Sequence, residues 1–236
     1  MKKKAVILLS GGLDSATVAA IANQDYDLSA LSFFYGQRHK IELEFAKKIA
    51  DSLQIKNHKI IKINLDIFGC SALTDQKISV PKDNLNNNSS AIPITYVPAR
   101  NAIFLSCALA FAETIGAADI FIGVNAIDYS GYPDCRREFI QAFETMANLA
   151  TATANNKNQN TNINYKIHTP LIAIGKSEII KLGLLLGVDY KLTHSCYDPI
   201  IKDHSIYACG HCDSCLLRLK AFQENNLSDP YPYLSN

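Results

Sequence analysis

AVILLSGGLDS, residues 5–15, contains the strongest structural signal in the chain. Its first part, Ala5–Leu9, is a continuous apolar run of the kind found in strands buried on both faces of a sheet. Residues from Asp14 to Asn23 then follow a helical pattern. Because Gly11 and Gly12 separate the two elements, the segment predicts a buried strand, a tight glycine loop and a helix.

Downstream of this unit, short apolar runs alternate with stretches of helical spacing. The predicted strands are Leu28–Phe34, Lys59–Leu65 and Asp119–Val124, and the predicted helices are Ile41–Leu53, Arg100–Ile115, Arg136–Ala150 and Ser177–Leu186. Arg100–Ile115 is apolar on nearly all sides, which predicts a buried helix. The alternation predicts an α/β fold with a doubly wound parallel sheet covered on both faces. Ligands of such sheets bind at the carboxyl ends of the strands.

The composition narrows the class of protein. The 236-residue chain is 48% hydrophobic and has 23 Lys and Arg residues against 22 Asp and Glu residues, a formal charge of +1. This length predicts one domain with at most a small appendage. The near-neutral charge argues against nucleic-acid binding, which normally needs a basic surplus. Since neither an apolar run of about 18 residues nor a signal-peptide pattern is present, we expect a cytoplasmic protein that does not bind membranes.

The glycine loop, Ser10–Ser15, has the chemistry of an anion site. Adjacent glycines let the backbone approach a ligand closely, and the helix that follows presents free N–H groups with a partial positive charge. Ser10 and Ser15 add hydroxyl donors, so the loop predicts a pyrophosphate cradle. It has neither the Walker A pattern nor the dinucleotide pattern. The alternative is a tight turn in which Asp14 only caps the helix.

Four of the seven cysteines form a second group, Cys196, Cys209, Cys212 and Cys215. Four thiolates suit a closed, tetrahedral, structural Zn²⁺ site, which would pin a C-terminal segment, residues 191–236, to a nucleotide-binding part, residues 1–190. An iron–sulfur cluster is the main alternative, although the ferredoxin spacing is absent. His194, His204 and His211 lie nearby, and we expect none of them to be a ligand because four cysteines complete the shell.

The glycine loop after AVILL resembles the PP-loop of the ATP pyrophosphatase superfamily, whose members adopt the adenine nucleotide alpha hydrolase-like fold. Together with the four cysteines, further segments resemble the 7-cyano-7-deazaguanine synthase family, and this resemblance runs from Lys4 to about Phe222. These segments are Tyr35-Gly-Gln-Arg-His39, Val97-Pro-Ala-Arg-Asn101, Asp128–Glu138 (DYSGYPDCRRE), Gly175-Lys-Ser-Glu-Ile179 and Ser195-Cys-Tyr-Asp-Pro199.

The resemblance implies a carbon–nitrogen ligase of queuosine precursor biosynthesis. Its substrates are 7-carboxy-7-deazaguanine, ammonia and ATP, and adenylated acid and amide intermediates lead to the nitrile. Mg²⁺ accompanies the ATP, with AMP and pyrophosphate as the expected by-products. The resemblance also suggests a homodimer.

The expected site residues fall into three groups. We expect catalytic roles for Asp14, Ser15, Arg100 and Lys176. The expected ATP-binding residues are Leu8, Leu9, Ser10, Gly11, Gly12, Leu13, Asp14, Ser15, Ala16, Thr17, Val18 and Arg38. Tyr129, Tyr132, Asp134 and Arg136 could stack on the deazaguanine, accept from its amine and hold its carboxylate. Cys135 lies among them, and we interpret it as a packing residue.

Three other functions remain open at this point. A PP-loop enzyme acting on tRNA would share the ATP loop, although the charge of +1 and the absence of an RNA-binding appendage speak against it. A non-catalytic nucleotide-binding module would bind ATP without turnover. An amidotransferase would need a glutaminase domain, for which this length leaves no room. Asn84–Ser90 and Thr151–Asn164 are Asn-rich and predict loops.

Overall fold

A five-stranded parallel sheet forms the centre of the protein. The computed structural model describes residues 2–83, 92–127, 131–155 and 163–234. The strands are β1 (Lys3–Leu8), β2 (Tyr26–Phe34), β3 (Asn57–Lys62), β4 (Asp119–Phe121) and β5 (Lys166–His168), in the order β3-β2-β1-β4-β5. All neighbouring pairs are parallel, so the predicted sheet type is confirmed.

Six helices of the described residues surround this sheet. They are α1 (Leu13–Asn23), α2 (Ile41–Ser52), α3 (Arg100–Ile115), α4 (Arg137–Ala150), α5 (Lys176–Leu185) and α6 (Asp213–Glu224). A small antiparallel hairpin, β6 (Ile200–Lys202) and β7 (Ser205–Tyr207), precedes α6. No described helix is long and apolar enough to span a bilayer.

The alternating side chains of β1 divide the core into two layers. Val6 and Leu8 pack into a layer that also contains side chains of α3 and α4. Ala5 and Ile7 face the opposite layer, which is built with α1, α2, α5 and α6. Both faces of β1 are therefore buried, as its continuous apolar run predicted.

Most predicted elements differ from the structure by one or two residues at an end, and three differ in ways that matter for the fold. Helix α3 has the predicted bounds, but its residues Ser106, Ala110 and Thr114 are exposed, because it covers one face of the sheet instead of crossing the interior. Strand β3 ends at Lys62 and not at Leu65, since its partner β2 ends at Phe34. Strand β4 ends at Phe121, and the backbone after it turns into the wall of the cavity described below.

The C-terminal segment packs on the same core as the glycine loop's helix. Ala221 and Phe222 of α6 join the layer that contains α1 and α5. Arg218 of α6 forms a buried ion pair with Asp229, with N–O distances of 2.7 and 2.9 Å, and donates to the carbonyl of Tyr190. The division at residue 190 stays a prediction, and these contacts join the two parts closely.

Candidate active site

A cavity opens where the strand order reverses. Strand β1 lies between β2 and β4, and the connections from these strands run to opposite sides of the sheet. Crevices of this kind, at the carboxyl ends of parallel strands, are the usual ligand sites of open α/β sheets. Its walls include Ser10, Asp14, Arg100, Tyr132 and Lys176. Residues expected to share a site from their sequence motifs thus come together here, from segments far apart in the chain.

The glycine loop is closed by its own hydroxyl groups. The Ser15 hydroxyl donates to the carbonyl of Gly12 at 3.0 Å and accepts from the Ser10 hydroxyl at 2.9 Å. Gly12 is the N-cap of α1, and no side chain caps this helix. Because the first N–H groups of a helix have no intrahelical acceptor, the loop presents donors to an anion at this end of the cavity.

Asp14 and Lys176 meet beside the loop. The Lys176 ammonium donates to both carboxylate oxygens of Asp14, at 2.8 and 2.7 Å, and the Lys176 side chain is buried. Lys176 is the first residue of α5, more than 160 positions along the chain from Asp14. The pair places one positive and one negative group next to the expected phosphate site. A triphosphate with its metal can compete for both groups, so the pair is suited to rearrange when ligand enters.

Gly11 brings helix α2 against the loop. Its φ of +88° is in the left-handed region that favours glycine. A Cβ atom here would overlap the carbonyl oxygen of Glu42 and lie 2.9 Å from the backbone nitrogen of Ala46. The first turn of α2 therefore packs directly on the glycine loop, and Glu42 reaches the cavity wall.

Arg100 and Tyr35 form another part of the cavity wall. The Arg100 guanidinium lies 5.7 Å from the centroid of the Tyr35 ring, and its Nη1 is 3.5 Å from the Tyr35 hydroxyl. Burial raises the pKa of Tyr35 to about 12, and the negative charge of Glu42 adds to this effect. Burial opposes the charge of Arg100, but Tyr35, Tyr132 and Asp134 raise its pKa above the ordinary value. Arg100 therefore remains a cation in the cavity.

Four aromatic rings, Phe33, Tyr35, Phe104 and Tyr132, belong to the cavity wall, and we call them the aromatic slot. Phe33 and Phe104 stack with their centroids 3.9 Å apart, and Tyr35 meets Phe104 edge-on at 5.5 Å. The Tyr132 hydroxyl is held by the Thr95 hydroxyl at 2.7 Å. Flat rings with fixed positions are suited to a flat heterocycle.

The expected ATP residues separate into two sets. Leu8, Leu9, Ser10, Gly12, Leu13, Asp14 and Ser15 line the cavity. Gly11, Ala16, Thr17 and Val18 lie behind this surface, and the Thr17 hydroxyl contacts Leu13 and Tyr190. Their assignment to ATP stays a prediction.

Arg38 has a different environment from the one expected. Its guanidinium donates to the carbonyls of Ala72, Asp75 and Ile78, and it is not part of the described cavity wall. These three contacts make Arg38 a brace for the segment 71–78. The reason is that Arg38, although it follows strand β2, points to the carbonyls of the segment 71–78 and not into the cavity. We therefore leave Arg38 out of the proposed ATP site.

The expected substrate residues do not all lie in the cavity wall. Tyr132 lines the cavity, whereas Arg136 is exposed at the start of α4. Asp134 is buried, and its carboxylate accepts from the backbone N–H of Asn101 at 3.0 Å, so it caps helix α3. Tyr129 lies outside the described residues. Burial raises the pKa of Cys135 to about 12, which agrees with a packing role for this thiol.

Several wall residues were not found from the sequence. Glu42, Phe33, Phe104 and Asn125 line the cavity but belong to no motif that pointed to chemistry. Tyr35 and Tyr197 do lie in two of the motif segments, YGQRH and SCYDP, and this was a signal that could have identified them. The sequence signal for Glu42 was weaker: it is a carboxylate in the first turn of the amphipathic helix α2, directly after the apolar Ile41.

The cysteine cluster, Cys196, Cys209, Cys212 and Cys215, packs against Ile41 and Phe45 of α2. All four cysteines are buried, and their sulfur atoms lie within 4.8 Å of one another. Sulfurs bound tetrahedrally to zinc at ~2.3 Å lie about 3.8 Å apart, so the observed spacing fits such a site. Backbone N–H groups of residues such as Asp198 and His211 point at the sulfurs at 3.4 Å, which favours thiolates.

The three histidines near the cysteine cluster are not part of the metal-binding group. His194 is buried, and its ring nitrogens lie 2.7 Å from the Tyr231 hydroxyl and 3.0 Å from the Cys196 carbonyl. His211 lies 3.0 Å from the Asp83 carboxylate. His204 is exposed. Among the residues that the structure describes, the four cysteines alone form a group with metal-binding geometry.

The fold and site define a parallel α/β protein with a glycine loop at the switch point of its sheet and a separate four-cysteine cluster. Residues 4–226 match the family described as "Queuosine biosynthesis protein QueC". The relatives include a 7-cyano-7-deazaguanine synthase of Paramagnetospirillum magneticum, 57% identical over 99% of this chain and 100% of the relative. Another, from Geobacter sulfurreducens, is 54% identical over 100% of this chain and 95% of the relative. The chain belongs to the QueC family.

The solved structures that resemble this protein share much less sequence with it than these relatives do. An NMN synthetase from Francisella tularensis has a TM-score of 0.46 and 18% identity, covering 83% of this chain and 66% of that chain. An NH3-dependent NAD synthetase from Campylobacter jejuni has a TM-score of 0.44 and 18% identity, covering 80% and 66%. Likenesses of this strength add nothing to the assignment, which rests on the family match and the close relatives.

Proposed function

We propose that this protein is an ATP-dependent ligase that converts 7-carboxy-7-deazaguanine and ammonia to 7-cyano-7-deazaguanine. The first ATP adenylates the carboxylate and releases pyrophosphate, and ammonia then displaces AMP to give the amide. The second ATP adenylates the amide oxygen, and loss of AMP leaves the nitrile. Full-length identity of 57% to a relative with this name supports the proposal.

One observation about the structure carries the proposal. A single cavity joins the glycine loop, where a triphosphate would bind, to the aromatic slot, where a deazapurine would bind. Adenylation requires the α-phosphate and the substrate oxygen to be in contact, so both ligands must share one site. Separate pockets for the two ligands would not suit this chemistry.

Under this proposal, the residues of the cavity wall have separate roles. Lys176 and Arg100 would hold the triphosphate and stabilise the charge that develops when pyrophosphate leaves. The N–H groups at the start of α1, with the Ser10 and Ser15 hydroxyls beside them, would bind the pyrophosphate oxygens. Asp14 would help to hold Mg²⁺, which neutralises phosphate charge when it is bound. Tyr132 and the other rings of the aromatic slot would offer apolar surface for the base to pack against, and Tyr129 stays a predicted contact.

We also propose that the cysteine cluster holds one structural Zn²⁺ per chain. Four cysteine ligands leave no open position for a substrate, so the ion would hold the C-terminal segment in place and take no part in the reaction. The iron–sulfur alternative makes a simple contrast, because such a protein is brown and a zinc protein is colourless. Metal analysis of the purified protein distinguishes the two. We still expect the protein to be a cytoplasmic homodimer.

The decisive experiment supplies purified protein with ATP, Mg²⁺, ¹⁵N-ammonium and 7-carboxy-7-deazaguanine, and follows products by mass spectrometry. The expected result is a ¹⁵N-labelled nitrile with two AMP formed for each nitrile. ATP binding without consumption of the deazapurine would contradict the proposal and favour the tRNA-modifying alternative. Incorporation of nitrogen from glutamine alone would contradict ammonia as the donor.

Two lysines of α5 provide a matched pair of variants for this assay. Lys176→Met removes the buried ammonium beside Asp14, and we expect a loss of activity of about 100-fold or more. Lys181→Met removes an exposed ammonium from the same helix and should leave activity within about twofold, because surface charges contribute little. Equal activity of the two variants would remove Lys176 from the proposed site.

A further inference from the structure

Glu42 is a cavity carboxylate for which neither the glycine loop nor the aromatic slot provides a partner. It lies in the first turn of α2 and lines the cavity together with Ser10, Gly12 and Arg100. No hydrogen bond or ion pair joins its side chain to another residue among 2–83, 92–127, 131–155 and 163–234. A carboxylate without a partner in a largely buried wall lowers stability, and such costs are often found where a group serves the chemistry of a site.

The backbone contacts place Glu42 beside the reacting end of the cavity. Its carbonyl oxygen lies where a Cβ of residue 11 would be, so the backbone of Glu42 packs beside the glycine loop, which is the expected phosphate site. Its charge acts on Tyr35, which belongs to the aromatic slot, and the charge of Arg100 acts on Glu42 in turn. Glu42 therefore lies in the same cavity wall as the glycine loop, Tyr35 and Arg100, within reach of ligands that bind there.

The charge of Glu42 does not suit the binding of ligand phosphates. A carboxylate that shares no cation with a triphosphate repels it, and Asp14 is already the carboxylate proposed to hold Mg²⁺. Burial raises the pKa of Glu42 to about 7, while Arg100 opposes this effect. Near neutral pH the group can therefore both take up and release a proton, which is the property required of a general base.

The proposed reaction has a nitrogen atom that must lose protons. When ammonia attacks the adenylated acid, a C–N bond forms, the C–O bond to AMP breaks, and the nitrogen gives up one proton. When the amide is adenylated and AMP leaves, the same nitrogen gives up two more. We propose that the Glu42 carboxylate accepts these protons from the substrate nitrogen and returns them to solvent between steps. This inference rests on the proposed function.

The test compares two partial reactions in the full-length protein. Exchange of labelled pyrophosphate into ATP with 7-carboxy-7-deazaguanine measures adenylation, which needs no nitrogen. Amide formation from ¹⁵N-ammonium measures the step that needs a base. For Glu42→Gln we expect exchange within about threefold of wild type and amide formation lowered about 100-fold, the usual size of a general-base effect.

Further readouts separate a base from a merely structural residue. Hydroxylamine is a stronger nucleophile and largely unprotonated at neutral pH, so its reaction with the adenylate should be spared in Glu42→Gln. Nitrile formation from supplied amide should fall like amide formation. Glu42→Asp should restore part of the activity. Glu44→Gln, an exposed residue of the same helical turn, is the matched control and should behave as wild type.

Three results would overturn the inference. Parallel loss of exchange and amide formation would make Glu42 part of the ATP or metal site. A raised KM for the deazapurine with unchanged kcat would mean that Glu42 binds the deazaguanine base. Wild-type amide formation in Glu42→Gln would leave it without a role. Absence of exchange in the wild-type protein, by contrast, would be a failure of the proposed function.

Discussion

At the scale of single residues, Gly11 controls how closely helix α2 approaches the glycine loop. The residue combines a φ of +88° with backbone atoms of Glu42 and Ala46 directly where a Cβ would lie. Gly187 has a similar φ of +76° but open space around it. Substitutions at these two glycines therefore distinguish the free-energy cost of the backbone conformation from the cost of overlap with a neighbour.

We predict that Gly11→Ala lowers the free energy of unfolding by about 2–4 kcal/mol, from conformational strain and steric overlap together. Gly187→Ala should cost only about 1 kcal/mol, from strain alone. Urea denaturation of both variants measures the difference. Gly11→Ala should also bind ATP poorly, as followed by calorimetry, because the loop must shift. Equal costs for the two variants would show that α2 does not press on the loop.

The difference in stability between wild type and Glu42→Gln should depend on pH. The pKa of Glu42 is raised from 4.5 to about 7 in the folded protein by burial, so the folded state holds this proton more tightly than the unfolded state. Stability from this group is fully present below pH 4.5 and declines as pH rises through 7. We predict that Glu42→Gln is more stable than wild type by about 1–3 kcal/mol at pH 8, and by much less at pH 5. Thermal unfolding of both proteins at the two pH values measures this, and an advantage independent of pH would contradict it.

At the scale of elements, helix α3 depends on a cap from elsewhere in the chain. Its N-cap residue, Ala99, has no side chain that can accept a hydrogen bond. Asp134, in the short 3₁₀ helix Pro133–Cys135, supplies the acceptor for the N–H of Asn101. The Asn101 side chain returns a bond to the Asp134 carbonyl at 3.1 Å. The start of α3, with Arg100, is thus tied to Tyr132 and the aromatic slot.

We predict that Asp134→Ala lowers the free energy of unfolding by about 1–2 kcal/mol, the usual value of a lost cap. Asp134→Asn keeps a side-chain oxygen for the Asn101 N–H and should cost less than about 1 kcal/mol. Chemical denaturation combined with KM for the deazapurine distinguishes the cap from the substrate contact expected from the sequence. An Asp134→Ala protein of unchanged stability and raised KM would restore the substrate role.

At the scale of the whole molecule, the C-terminal segment shares in the cavity wall. Tyr197, Ser214 and Arg218 line it, and Cys196, Cys212 and Cys215 are close to these residues in sequence. Arg218 also holds Asp229 and the carbonyl of Tyr190. A metal in the cysteine cluster would therefore stabilise one side of the active site without contacting a ligand.

We predict that Cys212→Ser loses bound zinc and exposes the C-terminal segment to limited proteolysis, with a fall in activity. The reason is that a structural metal contributes its binding free energy to folding. Cys70→Ser, at an exposed cysteine outside the cluster, is the control and should keep its zinc and its resistance. Metal analysis and protease digestion measure both effects. A Cys212→Ser protein with one zinc per chain would exclude the cluster as the binding site.

Local features of the chain were predictable because they depend on residues a few positions apart. Apolar runs and helical spacing located most strands and helices, and α3 has the predicted bounds. The glycine loop and the cysteine spacing were readable for the same reason. Strand β5, the β6–β7 hairpin and helix α6 were not predicted, because their apolar patterns are short and their partners are distant in sequence.

By itself, then, the sequence determined the α/β class, the strand–loop–helix unit at residues 5–15, the four-cysteine group and the family. The tertiary structure alone decided which side chains face one another. It paired Lys176 with Asp14, turned Arg38 toward the carbonyls of 72–78, used Asp134 as a helix cap and brought Glu42 into the cavity. The physical reason is that a side chain's direction depends on packing between distant elements, which a local pattern does not encode.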